Sequence, residues 1–323
     1  MSFLISMVRD KLTTIPPQEQ DCTGRTIVIT GANTGIGLEA ARHFTRLNAA
    51  RVIIGCRNLD KGEQARKDIQ ETTGRHDVVE VWQLDLASFD SVREFAAQVN
   101  KLERVDALIN NASLLTFKRE IIEGHESMLT VNVISTALLS LLTLAALRRT
   151  ATRFNVAPHV VIVSSDAAYE GRLPVRESNN IIEDLDAQTL VLERYSETKL
   201  LQAVFVERLA EDVDVSGQGR IIINAVHPGF CSTELFRNVP FPFSLIFTAL
   251  IALLSRTPEM GSRALLAGTF AGDELHGKMM FNGELHKMPK TMQGEDGNKL
   301  TRQVWEELLE LLEGIEPGVT KNI

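Results

Sequence analysis

Thr26-Ile-Val-Ile-Thr30-Gly31-Ala-Asn-Thr-Gly35-Ile-Gly37-Leu-Glu-Ala-Ala-Arg-His-Phe-Thr-Arg-Leu47 is the stretch that decides the fold. Thr26 to Thr30 is apolar without alternation, the pattern of a strand buried on both faces, and Ile36 to Leu47 carries apolar residues at helical spacing. Between them lies a glycine turn. Glycine at 31, 35 and 37 lets the chain reverse sharply, and it brings backbone N–H groups and a helix N-terminus against a pyrophosphate with no Cβ in the way. Asn33, Thr34 and Ile36 fill the turn. The spacing is Gly-x-x-x-Gly-x-Gly, not the commoner dinucleotide pattern Gly-x-Gly-x-x-Gly, which narrows the choice of family.

Outward from this unit, strand and helix patterns alternate without a compositional break to about Phe281. Strands are expected near Thr26–Thr30, Arg51–Gly55, Val78–Leu84, Val105–Ile109, His159–Ser164, Arg220–Val226 and Lys278–Phe281. Helices fill the gaps, at Ile36–Leu47, Asp60–Glu71, Ser88–Leu102, Gly124–Arg149, Tyr195–Glu211, Pro258–Gly268 and Lys299–Leu312. The expectation is an α/β fold: a single doubly wound Rossmann-type domain over residues 24–282, with a mostly parallel, seven-stranded sheet. Residues 1–23 read as an N-terminal extension and 283–323 as a tail with one helix. An apolar share of 44% is that of an ordinary globule. A net charge of −8 with no basic cluster argues against a nucleic-acid partner. Three scattered cysteines suit a reducing compartment, and the seven histidines form no His-x-x-x-His pair, so no metal is expected.

Tyr195 and Lys199 stand four positions apart at the head of a helical stretch, so phenol and ammonium share one face. Tyrosine ordinarily titrates near ~10. An ammonium about 5 Å away, at an effective dielectric of about 20, favours phenolate by on the order of 3 kcal/mol. The pair is expected to give a tyrosine acid working near neutrality.

With these motifs in order, the chain resembles the short-chain dehydrogenase/reductase family over roughly residues 24 to 282. Thr30 to Gly37 is similar to its cofactor turn, Leu84-Asp85-Leu86 to its adenine segment, and Asn110-Asn111-Ala112 to its Asn-Asn-Ala-Gly. Asn132, Ser165, Tyr195 and Lys199 fall where the family keeps its catalytic tetrad. Pro228-Gly229-Phe-Cys-Ser-Thr233 looks like the turn whose last hydroxyl meets the nicotinamide amide. Gly55-Cys-Arg57-Asn-Leu-Asp-Lys-Gly62, the long gap from Ser165 to Tyr195, and Arg256-Thr-Pro-Glu-Met-Gly261 point to retinol-dehydrogenase-like members and their fungal relatives. Ser113 departs from the family's glycine.

The resemblance implies hydride exchange between nicotinamide and a carbonyl or carbinol carbon. Tyr195 would be the general acid/base and Ser165 would bond the same oxygen. Lys199 would lower the tyrosine pKa and hold the ribose. The Asn132 backbone would seat a water that continues the proton path. Ser165 is chosen over Ser164 because the family's serine is usually the second of such a pair. At the end of the second strand, Cys56-Arg57 stands where a carboxylate would repel a 2′-phosphate. A guanidinium binds phosphate, so NADP(H) is the expected cofactor, although Thr34 lacks the second basic group of some relatives. Gly124–Arg149 and Tyr195–Glu211 are the family's usual pairing surface, compatible with a homodimer.

Two segments bear on the substrate. About thirty residues separate Ser165 from Tyr195, and with 236–256 they are expected to border the pocket. Pro240 to Leu254 carries no charge. It is too short to span a bilayer. Three readings stay open for it: a lid on an apolar pocket, plain core packing, or shallow membrane attachment. The Met1-Ser-Phe-Leu-Ile-Ser-Met-Val opening is too short for a signal sequence, and a cytoplasmic protein, at most peripheral to an intracellular membrane, is expected. The substrate would be a bulky apolar carbonyl or alcohol, polyketide-, terpenoid-, steroid- or retinoid-like, as for ketoreductases of secondary metabolism. Arg172, Arg176 or Arg194 would anchor an acidic substrate instead. Dehydration, epimerisation, isomerisation, or a silent NADP-binding role are the competing functions.

Overall fold

Runs of β-branched residues with every side chain buried, such as Thr26–Thr30 and His159–Val163, make the central strands. The computed structural model describes residues 3–173, 180–188, 193–239 and 243–323. In chain order the elements are α1 (Phe3–Leu12), β1 (Thr26–Thr30), α2 (Gly35–Arg46), β2 (Arg51–Cys56), α3 (Leu59–Thr73), β3 (Val79–Gln83), α4 (Phe89–Val99) and β4 (Ala107–Asn110). A hairpin of β5 (Ile121–Ile122) and β6 (His125–Glu126) follows. Then α5 (Ser127–Leu129) runs through a π-helical turn (Thr130–Ile134) into α6 (Ser135–Phe154). The remainder is β7 (His159–Val163), α7 (Ile181–Ala187), α8 (Arg194–Ser216), β8 (Ile222–His227), α9 (Phe243–Leu254), α10 (Pro258–Thr269), β9 (Lys278–Phe281), β10 (Glu284–His286) and α11 (Gly294–Ile315).

The sheet order is β10-β9-β8-β7-β4-β1-β2-β3. All neighbours are parallel except β9 and β10. The seven expected strands are present, and an eighth corrects the count. Its three residues, Glu284–His286, fold back through a turn onto β9 and are too short to announce themselves by periodicity. The order in which successive strands are added reverses between β1 and β4, which stay parallel, and this switch point opens a crevice beyond their carboxyl ends.

Each strand divides its side chains between two layers. Ile27, Ile29, Val52, Ile54 and Ile109 pack under α2, α3 and α10, while Val28, Ile53, Leu108, Val160 and Ile162 pack under α4, α6 and α8. The Ser127–Phe154 run is apolar and long enough to cross a membrane, yet 89% of its apolar window is buried inside the fold. It is a core helix.

Both ends of the described chain are built into this frame. Trp305 of α11 meets the Phe205 ring of α8 at 6.0 Å and donates to Asp212 Oδ2 at 2.8 Å. Leu300, Val304, Leu308 and Leu312 complete the same core. A 3₁₀ turn at Val319–Asn322 packs on α6. At the other end, Arg256 fastens α1 to the tip of β8. Its guanidinium donates to the carbonyls of Asp10, Thr13 (2.6 Å) and Pro228 (3.2 Å).

Candidate active site

The glycine turn works by what it lacks. A Cβ on Gly31 (φ +66) would lie 2.9 Å from the Ala112 Cα, and one on Gly37 would lie 2.5 Å from Asn111 Nδ2 and 2.9 Å from Gly31 O. Both are closer than real contacts allow, so turn and β4 tip approach only with hydrogen in place. Thr30 Oγ1 accepts from the amides of Asn111 and Ala112, each at 3.0 Å, and Asn111 Nδ2 donates to Thr30 O at 2.9 Å. Thr34 is the N-cap of α2 but its side chain caps nothing, leaving first-turn amides turned to the crevice with Asn33, Gly35 and Ile36. Asp85 and Leu86 are fixed nearby: Asp85 N donates to Ser91 Oγ (2.9 Å) and Leu86 O accepts from Ser135 Oγ (2.7 Å). Arg57 is exposed at the end of β2, while Cys56 is buried against Gly62, whose Cβ would strike its sulfur at 2.7 Å. Pro228 and Gly229 (φ +82) turn the chain so that Thr233 comes within 3.4 Å of the position a Gly35 Cβ would take.

Ser165, Tyr195, Lys199 and Asn132 come together at the ends of β7 and the heads of α8 and the π-helical turn. Lys199 is almost wholly buried, with Nζ 5.4 Å from the Tyr195 ring centroid. Burial draws its ammonium down to about 7. Tyr195 does not follow the expected electrostatics. Burial, then the Asp166 carboxylate, push the phenol above the ordinary tyrosine range, and a hydrogen bond with Ser165 opposes them only in part. Lys199 spends its donors on Val163 O (2.9 Å) and Gln202 Oε1 (3.0 Å). Burial and the Asp166 carboxylate, not the lysine, dominate the phenol in this arrangement.

Asn132 also differs from expectation. It sits in the π turn, where the widened i→i+5 pattern disturbs the α-helical carbonyl pairing. Its carbonyl accepts from Gln202 Nε2 at 2.7 Å, so a buried side chain occupies the place expected for a water. Gln202 thus bridges Lys199 and Asn132. It lies three residues beyond Lys199 on the same helical face, the one signal that could have found it. The Asn132 carboxamide accepts from Ser113 Oγ (3.0 Å) and Leu114 N (2.7 Å) and donates to Leu114 O (2.9 Å) and Thr198 Oγ1 (3.2 Å). Ser113 is accommodated because its hydroxyl has this partner.

A polar line missed in the sequence runs behind Ser165. Ser165 Oγ donates to Asp166 Oδ1 (3.0 Å) and accepts from Ala167 N (3.2 Å). Asp166 Oδ2 accepts from Ser6 Oγ (2.6 Å), and Asp166 N donates to His227 Nδ1 (3.2 Å). His227 Nε2 meets Asp10 Oδ2 at 3.1 Å, and Asp10 Oδ1 accepts from Asn282 Nδ2 at 3.1 Å. Burial raises the Asp10 carboxyl, but the bond to His227 and the weaker aid of Asn282 and Arg256 leave it below its ordinary value. Asp10, Asp166 and His227 lie within 4.8 Å of one another. Their ligand atoms are engaged in this line.

The substrate-side expectations fall partly outside the described residues: 174–179, with Arg176, 189–192, 240–242, and the side chains of Phe243, Ile246 and Phe247. Arg194 is no free anchor. It is fully buried, 3.1 Å from Glu197 Oε2 and 3.6 Å from Glu126 Oε2, and donates to Leu185 O. Arg172 is exposed. In α9, Leu245 and Leu253 are 64% and 72% exposed.

The fold and site define a dinucleotide-binding α/β class of enzyme, and comparison with known proteins narrows it. The sequence pattern of the short chain dehydrogenase family matches residues 25–175. A short chain dehydrogenase/reductase of Cryptosporiopsis sp. is 37% identical over 100% of both chains, and a short-chain dehydrogenase of Penicillium roqueforti is 36% identical over 99% of this chain and 84% of that one. Among solved structures, a Mycobacterium paratuberculosis protein described as uncharacterized superposes with a TM-score of 0.68 at 25% identity, covering 92% of this chain and 96% of that one. An Escherichia coli short chain dehydrogenase complexed with NADPH superposes with a TM-score of 0.61 at 23% identity, covering 82% and 99%. The chain belongs to the short-chain dehydrogenase/reductase family of oxidoreductases, in its fungal branch.

Proposed function

We propose that the protein is an NADP(H)-dependent oxidoreductase that interconverts a carbonyl and an alcohol on a bulky, mostly apolar small molecule. The observation that carries this reading is the meeting of Ser165, Tyr195 and Lys199 beside a turn at which a Cβ on Gly31 or Gly37 would collide. The crevice fits a dinucleotide. The uncapped amides of α2 suit its pyrophosphate, Asp85 and Leu86 border its adenine, and Arg57 is free to take a 2′-phosphate. Asn111, Ala112, Pro228, Gly229 and Thr233 line its nicotinamide end. Bound there, nicotinamide supplies or accepts the hydride.

The chain's own residues handle the oxygen. Tyr195 donates its proton as the carbonyl oxygen becomes negative, and Ser165 hydrogen-bonds the same oxygen. A phenol held above its ordinary range is protonated near neutrality, the form from which a carbonyl reduction takes its proton. Lys199, buried and anchored by Gln202, faces the ribose and the phenol from below. The substrate side supports an apolar ligand, because α9 carries no charge and follows directly on the Thr233 turn, and Arg194 is consumed internally.

The deciding comparison is kcat/KM with NADPH for a polycyclic ketone against a short keto acid. At least a tenfold preference for the ketone is expected. The opposite preference overturns the substrate class, and NADPH binding without oxidation by any carbonyl overturns the reductase reading.

A further inference from the structure

Helix α1 lies outside the sheet, yet it turns two polar side chains inward. Ser6 and Asp10 are four positions apart on one helical face, and they are 5% and 1% exposed. An apolar face would hold a helix in place at lower desolvation cost. Here both groups lead instead to one residue, Asp166. Ser6 Oγ reaches Asp166 Oδ2 directly, and Asp10 reaches the Asp166 amide through His227. Because His227 Nδ1 accepts from that amide, its proton stands on Nε2 and is given to Asp10, so the line has one direction. Its far end is the Ser165 hydroxyl, held by Asp166 Oδ1 and the Ala167 amide.

From this we infer that α1 is part of the catalytic apparatus, with Ser6, Asp10 and His227 positioning Asp166 so that Asp166 holds Ser165 Oγ where a substrate oxygen meets it. Asp166 is a positioning residue. It fixes the Ser165 rotamer before substrate arrives, and the hydroxyl hydrogen can then turn from the carboxylate to the substrate without moving the oxygen. Displacement of such a group by about 1 Å costs up to about a hundredfold in rate. The inference rests on the proposed role of Ser165, and it assigns the segment before Thr13 a task that the β1–β9 frame cannot perform by itself.

Two measurements test it. The first needs no turnover. In the Ser165→Cys protein, the rate of alkylation by iodoacetamide at that position is followed by peptide mass spectrometry. Cys22, Cys56 and Cys231 are buried, and burial raises their thiols to about 11, 11 and 12, so they stay silent. Adding Asp166→Asn is expected to speed alkylation about fivefold or more, because a carboxylate no longer opposes the thiolate. Adding Asp10→Ala is expected to change the rate about threefold or more, and Asp10→Asn, which keeps the acceptor for His227, to restore it. Rates unchanged within about twofold for Asp166→Asn overturn the contact, and for Asp10→Ala they overturn the part played by α1.

The second is a double-mutant cycle on phenanthrenequinone reduction by NADPH. Asp166→Ala is expected to lower kcat about tenfold with little change in KM, and to add nothing when Ser165 is already alanine. Additive losses show that Asp166 does not act through Ser165 and overturn the inference alone. Full turnover by Ser165→Ala overturns the proposed function beneath it.

Discussion

The cofactor half of the crevice and its substrate half are held in shape by opposite means. Around β1, β2 and β4 the fit depends on missing atoms: Gly31 against Ala112, Gly37 against Asn111, Gly62 against Cys56. Around β7, β8 and β9 it depends on polar atoms brought from far along the chain. Asp10 and His227 are 217 positions apart, Ser6 and Asp166 are 160 apart, and Asp10 and Asn282 are 272 apart. The first half is written locally, in glycines whose missing Cβ lets the turn and the β4 tip approach. The second is written by long-range pairing and can differ between relatives without disturbing the sheet.

The two halves meet at Tyr195, and the largest effect is expected there. Tyr195→Phe keeps the ring and should bind NADPH as before while kcat falls roughly 10²–10⁴-fold. Retention of more than about a tenth of wild-type turnover, with chemistry limiting, removes Tyr195 as the acid. In the cofactor half, Arg57→Ala should weaken NADPH by roughly 1.5–3 kcal/mol and leave NADH nearly unchanged. Equal losses in a calorimetric titration of both cofactors show that Arg57 does not meet the 2′-phosphate.

In the substrate half, Arg256→Ala removes the guanidinium that binds the carbonyls of Asp10, Thr13 and Pro228. Amides of α1 should lose about tenfold or more of their hydrogen-exchange protection while those of β1 to β3 keep theirs. Uniform loss across the sheet makes the two halves one cooperative unit.

The smallest effect concerns Lys199. Its pKa falls from the ordinary value near 10.5 to about 7 through burial, so the folded state disfavours the charged form. That penalty is full below about 7, shrinks as pH rises, and disappears above about 10.5, where the unfolded lysine is neutral too. Lys199→Met should therefore stabilise the cofactor-free protein by about 1–2 kcal/mol at pH ~6, with the gain vanishing toward pH ~11. Denaturant titrations at several pH values check the sign, and a gain that grows with pH refutes it.

The legibility of the molecule follows the same division. The strands, the glycine turn and the Tyr195–Lys199 spacing could be read because each is a short-range pattern whose period or steric need lies within a few residues. Asp10, His227 and Gln202 could not be given roles, because their partners depend on which strand tips and helices become neighbours. Asp166 stood next to Ser165 in the sequence, but adjacency did not reveal that its charge would act on Tyr195. The lysine–tyrosine arithmetic failed for a related reason: it assumed a partly solvated pair, whereas the ammonium is buried and donates elsewhere.

The packing of α11 on α8 also bears on how the protein is made. Phe205, Leu209 and Val213 are covered within a core that Leu300, Val304, Trp305 and Leu308 complete. A ribosome delivers α8 well before these partners, so the apolar face of α8 lacks its cover until residues 294–315 emerge. An apolar helix face left open at that stage is the kind of surface through which young chains aggregate, and α11 is what closes it.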